Sequence, residues 1–269
     1  MTITNAPLNK SASSDSWEEF SNIFRGGLQP LPQAWADVFG PLRTGTVDDL
    51  VIVGQIGQSL DGRQATETGH SKYINGPEGL VHLHRLRALV DVIVVGVGTA
   101  IADDPQLTVR RVSGPQPARV VIDPNGRLGA GARMFADDGV RRLLITAQGT
   151  RVAPPSGVEI VALPAVDGQI APSAIAGALA GRGMRRMLIE GGANTVSRFL
   201  VAGCLDRLHV MVAPIILGGG GPGLILPPLE RADQARRMPM HVHKIEDDVL
   251  FDCDLSAQRV VLGAAKKST

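Results

Sequence analysis

From residue 48 onwards, short apolar segments alternate with segments of helical pattern, and this alternation limits the folds that the chain can adopt. Strands that are separated by helices favour a parallel sheet with helices on its faces. The predicted strands lie at 50–56, 91–98, 119–123, 142–146, 158–163 and 187–189, and the predicted helices lie at 77–90, at 172–181 and after Gly192. Three further strands, at 208–217, 241–246 and 249–255, follow with no helix between them. We therefore predict an α/β fold whose mostly parallel central sheet carries an antiparallel C-terminal edge hairpin and is flanked by helices.

The charge and the hydropathy of the chain argue against several classes of protein. The 269 residues carry a net charge of +1, whereas proteins that bind nucleic acid or membrane surfaces usually have a basic excess. The sequence has no apolar run of transmembrane length and no apolar signal-peptide core at its N-terminus. Cys204 and Cys253 are far apart and lack the spacing of a metal or redox motif. We expect a cytoplasmic protein that binds neither nucleic acid nor membranes, with two buried thiols.

The chain divides into four parts by composition. Residues 1–15 are rich in Ser, Thr and Asn and are predicted to be a disordered tail. Residues 16–47 are predicted to be a helical arm, and a single domain over 48–262 and a tail over 263–269 follow. The arm contains five of the nine aromatic residues of the chain, namely Trp17, Phe20, Phe24, Trp35 and Phe39. Because the first three of them share one helical face, the arm is expected to dock, either on its own domain or on a partner subunit.

The segment around Glu190 has the pattern of a strand, a glycine turn and a helix. Gly191 and Gly192 let the backbone bend sharply and leave no Cβ in the way of an approaching ligand. The helix that follows, which Asn194 or Thr195 could cap, presents free N–H groups and partial positive charge at its first turn. Such a turn either binds an anion, most often a phosphate, or simply connects the two elements. Glu190 is either a ligand-binding acid at the carboxyl end of a strand or a solvated turn residue.

Three other patterns in the sequence are candidates for chemistry. The run 218–223 matches the dinucleotide motif GxGxxG by letter, but the prolines within and after it prevent a helix from following, so we reject a simple Rossmann dehydrogenase. Arg87, Arg110 and Arg111 form either an anion-binding cluster or a solvated basic face. The six histidines show no metal-binding motif, and we expect no metal site.

Several motifs, taken together and in chain order, resemble one protein family. They are SLDGR (59–63), the loop with Ser71, LRAL (86–89), VIVVGVGTAIADDPQLTVR (92–110), RVVID (119–123), LIEGGANTVSRFL (188–200) and APIILGG (213–219). This set resembles the reductase domain of the bifunctional riboflavin-biosynthesis deaminase-reductases, which also occurs as a stand-alone enzyme. The resemblance covers about residues 50–255 and implies a dihydrofolate-reductase-like fold and a homodimer. The zinc-binding motifs of the deaminase half are absent from the sequence, so the resemblance implies a reductase alone, without a metal.

The resemblance also implies an activity. Members of the family use NADPH to reduce a phosphoribosylamino-pyrimidine, of the 5-amino-6-(5-phosphoribosylamino)uracil type, to its ribitylamino product in riboflavin biosynthesis. The ribose ring opens to an imine, which is reduced by hydride from the nicotinamide. The sequence leaves two alternatives. One is a reductase of the same fold that acts on another heterocycle, such as a dihydropterin or dihydrofolate, and the other is a nucleotide-binding module without catalysis.

The same resemblance assigns roles to individual residues. The implied cofactor-binding residues are Gly57, Tyr73, Thr99, Asp103, Gly191, Gly192, Ala193, Asn194, Thr195, Val196, Ser197 and Arg198. The implied substrate-binding residues are Ser71, Arg87, Leu107, Arg110 and Glu190. The two arginines would hold the substrate phosphate, which places the distant reacting carbon. Glu190 and Asp103 are the implied catalytic acids.

Two positions depart from the family pattern. The family often has a lysine where this chain has Gln55, and it has a tryptophan where this chain has Tyr73. Glutamine carries no charge and cannot supply a proton as lysine does, so Gln55 bears on the identity of the substrate or on the rate. The resemblance implies NADPH rather than NADH, and Arg127 and Arg151 are the candidates for its 2′-phosphate unless nearby acids pair with them.

Overall fold

The computed structural model describes residues 2–3, 14–27, 29–45, 47–71, 73–235 and 237–262. The strands within these residues are β1 (Thr2–Ile3), β2 (Val51–Ser59), β3 (Val92–Gly96), β4 (Ala118–Ile122), β5 (Arg142–Ala147), β6 (Val158–Leu163), β7 (Ala165–Val166), β8 (Gln169–Ile170), β9 (Arg186–Glu190), β10 (Arg207–Ala213), β11 (Met240–Ile245) and β12 (Asp248–Asp254). The α-helices are α1 (Ser14–Gly26), α2 (Gln33–Phe39), α3 (Pro77–Leu89), α4 (Val97–Asp103), α5 (Pro172–Ala180) and α6 (Ala193–Val201).

Ten of the described strands form one sheet, and its order explains the alternation in the sequence. The order is β1–β11–β12–β10–β2–β9–β3–β4–β5–β6. From β10 to β6 every neighbouring pair is parallel, whereas β12 runs antiparallel to both β10 and β11. The predicted α/β architecture, with a mostly parallel sheet and an antiparallel C-terminal hairpin at its edge, is therefore confirmed. The strands β7 and β8 form a separate hairpin.

Helices cover both faces of the sheet, so its parallel strands are buried on both sides. One core contains apolar side chains of α1, α2, α3 and α4, and the other contains those of α5 and α6. Successive residues of β2 point to opposite cores, with Val51 and Val53 in the first and Ile52 in the second. Because the central strands are parallel and in register, their carboxyl ends meet at one edge of the sheet.

The aromatic-rich arm docks on its own domain. Its five aromatic side chains are buried, and the guanidinium of Arg85 on α3 lies 4.2 Å from the ring centre of Trp35. The indole Nε1 of Trp17 donates a hydrogen bond to the carbonyl of Ser113 at 2.9 Å. Of the two docking surfaces considered from the sequence, the structure shows the one within the same chain.

Two element boundaries near the cleft differ from the sequence prediction. Gly96 ends β3 and caps α4, a helix that was not predicted because its apolar residues continue the pattern of the strand. Helix α6 begins at Ala193 with Gly192 at its N-cap position, so Asn194 and Thr195 lie within the first turn and do not cap it. A glycine is acceptable at the N-cap because it adopts the extended backbone there at little steric cost.

The expectation of a disordered tail over residues 1–15 is corrected where the structure describes this segment. Thr2–Ile3 pair in parallel with β11, which gives the hairpin edge an additional short strand. Helix α1 already begins at Ser14. Residues 4–13 and the predicted tail over 263–269 lie outside the described residues.

The C-terminal half of the chain shows one further difference. The strand predicted over 208–217 ends at Ala213, because Pro214 has no N–H to donate to a strand ladder.

Cys204 and Cys253 are buried free thiols, as the sequence predicted, and burial raises the pKa of both. None of the helices in the described part of the chain is long and apolar enough to cross a membrane.

Replacing Trp35 by alanine is expected to lower the free energy of unfolding by about 3–5 kcal/mol, because its ring is buried among other aromatic rings. Urea unfolding followed by circular dichroism measures the change. Val166→Ala removes a mostly exposed side chain of β7, so this control should change the free energy by less than about 0.5 kcal/mol. A loss below about 1 kcal/mol for Trp35→Ala would show that the arm is not part of the cooperative core.

Candidate active site

A cleft of about 1000 Å³ lies along the edge formed by the carboxyl ends of β2, β9, β3 and β4. Open parallel sheets bind ligands at this edge, where the loops after the strands converge. The predicted site residues that line the cleft are Gly57, Ser71, Tyr73, Thr99, Asp103, Leu107, Glu190, Gly191, Gly192, Ala193, Asn194, Thr195 and Arg198. The other predicted site residues, Arg87, Arg110, Val196 and Ser197, lie outside its wall.

The turn between β9 and α6 forms one wall of the cleft. Gly191 has a φ of 124°, which favours glycine, and a Cβ there would lie 3.0 Å from Thr99 Oγ1. The Thr99 hydroxyl accepts a hydrogen bond from the Gly192 N–H at 2.8 Å, and Gln64 Oε1 accepts one from the Ala193 N–H at 3.0 Å. Because both acceptor residues line the cleft, the first N–H groups of α6 face it, together with the positive end of the helix.

Further along α6, two predicted cofactor-binding residues are buried instead. Val196 belongs to the second core, and Ser197 Oγ accepts a hydrogen bond from the Ile225 N–H at 2.8 Å. The helical period explains why these two side chains are buried, because consecutive side chains of a helix cannot all face the same side. Arg198 does line the cleft, and its guanidinium donates to the Ile170 carbonyl at 2.7 Å. Burial lowers the pKa of Arg198.

Glu190, the last residue of β9, is bound by Arg87 of α3. Arg87 Nε donates to Glu190 Oε2 at 2.9 Å and Arg87 Nη2 donates to Oε1, so the guanidinium binds both carboxylate oxygens. Arg87 is only 5% exposed and Glu190 only 8%. Arg87 Nη1 also donates to the Thr108 carbonyl at 2.9 Å. The buried charge of Arg87, for which the resemblance implies a phosphate-binding role, is thus paired with a carboxylate in the structure.

Arg110 lies on a loop that neighbouring side chains hold in place. Its backbone N–H donates to His84 Nδ1 at 3.1 Å, and its Nη1 donates to Thr108 Oγ1 at 3.3 Å. The side chain of Gln116 binds both the N–H and the carbonyl of Val109, each at 2.7 Å. The exposed side chain of Arg110 therefore projects from a loop with a defined position.

Positive charge is concentrated around Arg110. Partial burial, followed by Arg87 and Arg111, lowers the pKa of its guanidinium. Burial and the same three arginines lower the pKa of His84 to about 3, so its imidazole is neutral near pH 7 and can accept the N–H of Arg110. Glu190 is also close to this group, but Arg87 binds it. The excess of positive charge favours an anion-binding cluster over a solvated basic face for Arg110 and Arg111.

Two residues of the cleft wall adopt a left-handed backbone that is uncommon outside glycine. Leu107 has a φ of 55° with a buried side chain, and Tyr73 has a φ of 67° with its ring 86% exposed. Such conformations cluster at functional sites, where the surrounding structure enforces them. Asp103 is exposed at the end of α4, and Ser71 lies in the loop after β2.

A second wall, formed by the loops after β2 and β10, was not predicted. The Gln64 N–H donates to the Gly221 carbonyl at 2.8 Å, and a Cβ at Gly220 would lie 2.1 Å from the carbonyl oxygen of Ala65. Close packing of the two loops therefore explains Gly220 of the GxGxxG match, whereas Gly218 has open space at its Cβ position and a φ of 79°. Sequence reasoning missed Gln64, for which the available signal was its position directly after SLDGR.

Gln55 and Tyr73, the two positions that depart from the family pattern, both line the cleft. Gln55 lines it and stands on β2 between two polar residues in register, Glu190 on β9 and His209 on β10. Of the two arginines considered for a 2′-phosphate, Arg127 lines the cleft beyond the end of β4 and Arg151 does not.

Comparison with known proteins identifies relatives. The sequence model of the RibD C-terminal domain matches residues 51–251. The chain is similar to the 2,5-diamino-6-ribosylamino-4(3H)-pyrimidinone 5′-phosphate reductase of Methanothermobacter thermautotrophicus, with 34% identity over 178 residues, covering 62% of this chain and 79% of that protein. The protein of the same name from Archaeoglobus fulgidus is 35% identical over 179 residues, covering 61% and 80%. The riboflavin biosynthesis protein RibD of Bacillus amyloliquefaciens is 34% identical over 174 residues, and the match spans only 46% of its length.

Solved structures that are similar to this chain are named for the same pathway as these relatives. The crystal structure of a diaminohydroxyphosphoribosylaminopyrimidine deaminase/5-amino-6-(5-phosphoribosylamino)uracil reductase from Thermotoga maritima matches with a TM-score of 0.65 and 25% identity. That match covers 76% of this chain and 56% of the Thermotoga chain. The Saccharomyces riboflavin biosynthesis reductase Rib7 matches with a TM-score of 0.64 and 23% identity over 76% of this chain and 89% of that one, which supports the fold.

Gly96→Ala is expected to lower the free energy of unfolding by about 1–3 kcal/mol, because the added Cβ would lie 2.3 Å from Thr195 Oγ1 on α6. Gly98→Ala is the matched control. A Cβ at this helical position meets nothing within 4 Å, so alanine should raise the stability by about 0.5–1 kcal/mol. Urea unfolding of the two variants measures the difference, and equal effects would contradict the close approach of β3 to α6.

Proposed function

Because the chain belongs to the RibD C-terminal domain family, we propose that it uses NADPH to reduce a phosphoribosylamino-pyrimidine in riboflavin biosynthesis. The observation that carries this proposal is the carboxylate of Glu190, which Arg87 holds at the cleft next to the glycine turn of α6 and close to the loop of Arg110. The turn suits a pyrophosphate, the carboxylate suits the N–H groups of a pyrimidine, and an exposed arginine suits the phosphate of a ribose.

The glycine turn has the features that a dinucleotide requires. Gly191 and Gly192 have no Cβ that would block the backbone. The N–H groups of Gly192 and Ala193 donate to oxygens of Thr99 and Gln64, and phosphate oxygens are acceptors of the same kind. We assign this turn to the pyrophosphate of NADPH, which supplies a hydride when bound.

The other cleft residues are assigned to the remainder of the cofactor and to the substrate. Gly57, Tyr73 and Asp103 complete the proposed cofactor site, and Ser71 and Leu107 contact the substrate. Glu190 accepts hydrogen bonds from the pyrimidine, with its oxygens held in a fixed orientation. The open-chain imine of the substrate gains hydride at carbon and a proton at nitrogen and becomes a secondary amine. The exposed carboxyl of Asp103 is the proposed acid.

Two pyrimidines are candidate substrates. The archaeal relatives are named for a diaminopyrimidinone, whereas the Thermotoga protein is named for the corresponding uracil. The purified protein should be offered both compounds, with dihydrofolate and a dihydropterin in parallel, while the absorbance of NADPH is followed. Oxidation with a pyrimidine alone would support the proposal. Oxidation with only a pterin or folate would contradict the substrate, and NADPH binding without any turnover would indicate a nucleotide-binding module.

We also propose that the protein is a cytoplasmic homodimer, as the family resemblance implies. The loop after β10 exposes several large apolar side chains, among them Ile216, Ile225 and Leu229. A second copy of the chain would remove such a surface from water. Light scattering of the purified protein gives the molecular mass, and a monomeric mass at micromolar concentration would contradict the dimer.

Arg127→Ala is expected to raise the KM for NADPH about tenfold and to leave the KM for NADH unchanged, because a lost hydrogen bond to a charged phosphate costs about 1.5 kcal/mol. Arg151→Ala is the matched control and should change neither value, since Arg151 does not line the cleft. Steady-state rates with each cofactor give the four constants. An equal loss with NADPH and NADH would remove the 2′-phosphate role of Arg127.

A further inference from the structure

A second cavity lies at the edge of the sheet opposite the cleft, where β2 and β9 begin. Its volume is about 500 Å³, which is within the range of small-molecule sites. We propose that this cavity, which we call the arm cavity, binds a small anion that carries one or two phosphate groups. The site is separate from that of the proposed reaction, because the arm cavity and the cleft have no lining residue in common.

The aromatic-rich arm supplies half of the lining of the arm cavity. Its contribution is Phe24, Arg25, Gly27 and residues 43–45, and the domain supplies the opposite wall, which includes residues 185–186. The RibD C-terminal domain model begins at residue 51, so the arm residues lie outside the part of the chain that the family shares. The arm cavity therefore depends on the docking of the arm, and a ligand in it would hold the arm and the domain together.

Positive charge exceeds negative charge in the arm cavity. The described residues that line it include four arginines but two acids, namely Arg25, Arg43, Arg185, Arg186, Asp49 and Asp91. Arginine stays protonated at neutral pH, so the lining carries an excess of two positive charges. Because the whole chain has a net charge of only +1, this excess is a local feature, and it favours an anionic ligand.

Backbone carbonyls hold the two arginines that the arm contributes. Arg25 Nε and Nη2 donate to the carbonyl of Ala88, at the end of α3, at 3.2 and 2.6 Å. Arg43 Nη1 donates to the carbonyl of Gln29 at 2.6 Å, and its Nη2 donates to that of Ile23 at 2.8 Å. A carbonyl is neutral, so these bonds fix the direction of each guanidinium without cancelling its charge. The charge of both arginines thus remains available to an anion.

One ion pair lies in the arm cavity, and it does not neutralise the other arginines. Within the described part of the chain, Arg186 is the arginine of this cavity that forms an ion pair, with Asp91 Oδ1 at 3.0 Å. The other oxygen of Asp91 accepts the backbone N–H groups of Arg185 and Arg186, each at 2.8 Å. Partial burial, followed by the charge of Arg186, lowers the pKa of Arg25, and Asp91 offsets only part of this effect. A phosphate between these guanidinium groups would relieve their repulsion.

Isothermal titration calorimetry of the full chain with inorganic phosphate, pyrophosphate and AMP tests the site. Arg185→Glu places a carboxylate at the arm cavity and is expected to weaken the Kd at least about tenfold, because repulsion of the phosphate replaces attraction. Arg185 is exposed, and its side chain makes one long hydrogen bond, to the carbonyl of Asp48 at 3.4 Å, so the substitution should leave the fold intact.

Arg231→Glu is the matched control for the change of charge. Arg231 is exposed and lines neither the arm cavity nor the cleft, so its replacement should leave the Kd within about twofold of the wild-type value. Equal losses in Arg185→Glu and Arg231→Glu would show a general effect of net charge and would overturn the proposal.

A third variant separates the arm cavity from the glycine turn of the cleft, which suits the same anions. Asn194 is an exposed cleft residue in the first turn of α6, where Asn194→Asp would repel a phosphate. Binding that Asn194→Asp weakens about tenfold and Arg185→Glu leaves unchanged would place the anion in the cleft and overturn the proposal. A Kd above about 10 mM for all three ligands would also overturn it.

The three ligands distinguish the sources of the phosphate. If Arg185→Glu weakens the binding of AMP, and AMP binds more tightly than inorganic phosphate to the wild type, the ligand of the arm cavity is a phosphate ester. If inorganic phosphate or pyrophosphate binds at least as tightly as AMP, the ligand is the free anion. The titration requires no turnover, so the result does not depend on whether either pyrimidine is reduced.

Discussion

Helix α3 is enclosed on two sides, and much of the site depends on that burial. Its inner side packs on the parallel sheet, and the arm helices α1 and α2 cover it from outside. Polar groups in such a helix cannot rely on water and need partners. His82 Nε2 meets His209 Nδ1 at 3.1 Å, His84 accepts an N–H from the loop after α4, and Arg87 binds Glu190. The arm therefore packs on the helix whose Arg87 binds the acid, while none of the described residues that line the cleft belongs to the arm.

The histidines beneath the arm show which charge states this burial favours. Phe39 of the arm stacks on His82 with 5.3 Å between ring centres, and burial lowers the pKa of His82 well below its usual value. Across the sheet, Arg207 binds both oxygens of Asp252 at 2.9 and 2.5 Å. Burial alone would raise the pKa of Asp252, but His209 and Arg207 outweigh it and lower that pKa. The core around α3 therefore contains a neutral imidazole and paired ions, which is the form in which buried polar groups cost least.

Local sequence patterns were sufficient for most of the sheet but not for the contacts within the site. Buried parallel strands leave continuous apolar runs, so the sequence predicts a strand over 91–98, within which the structure places Val92–Gly96. The next helix was missed because it is equally apolar. The position of Glu190 at a strand end pointed to the cleft, whereas its pairing with Arg87 joins residues 103 positions apart, and no local pattern reports such a contact. The resemblance grouped Val196 with its neighbours as one consecutive motif, although the helical period turns it into the core.

The short motifs become informative as a set because the fold joins them. SLDGR follows β2 and the glycine-rich segment follows β10, and Asp61 of the first accepts the N–H groups of Leu217 and Gly218 of the second at 3.1 and 2.8 Å. The Ser59 hydroxyl, followed by these N–H groups, lowers the pKa of Asp61 to about 2, so this acceptor stays ionised at neutral pH. With the two loops joined, the side chain of Gln64 accepts the N–H of Ala193 in the first turn of α6. The hydroxyl of Thr99 on α4 accepts the N–H of Gly192 in the same turn. The turn that suits a phosphate is thus fixed by three segments distant in sequence, which is why no single motif could identify it.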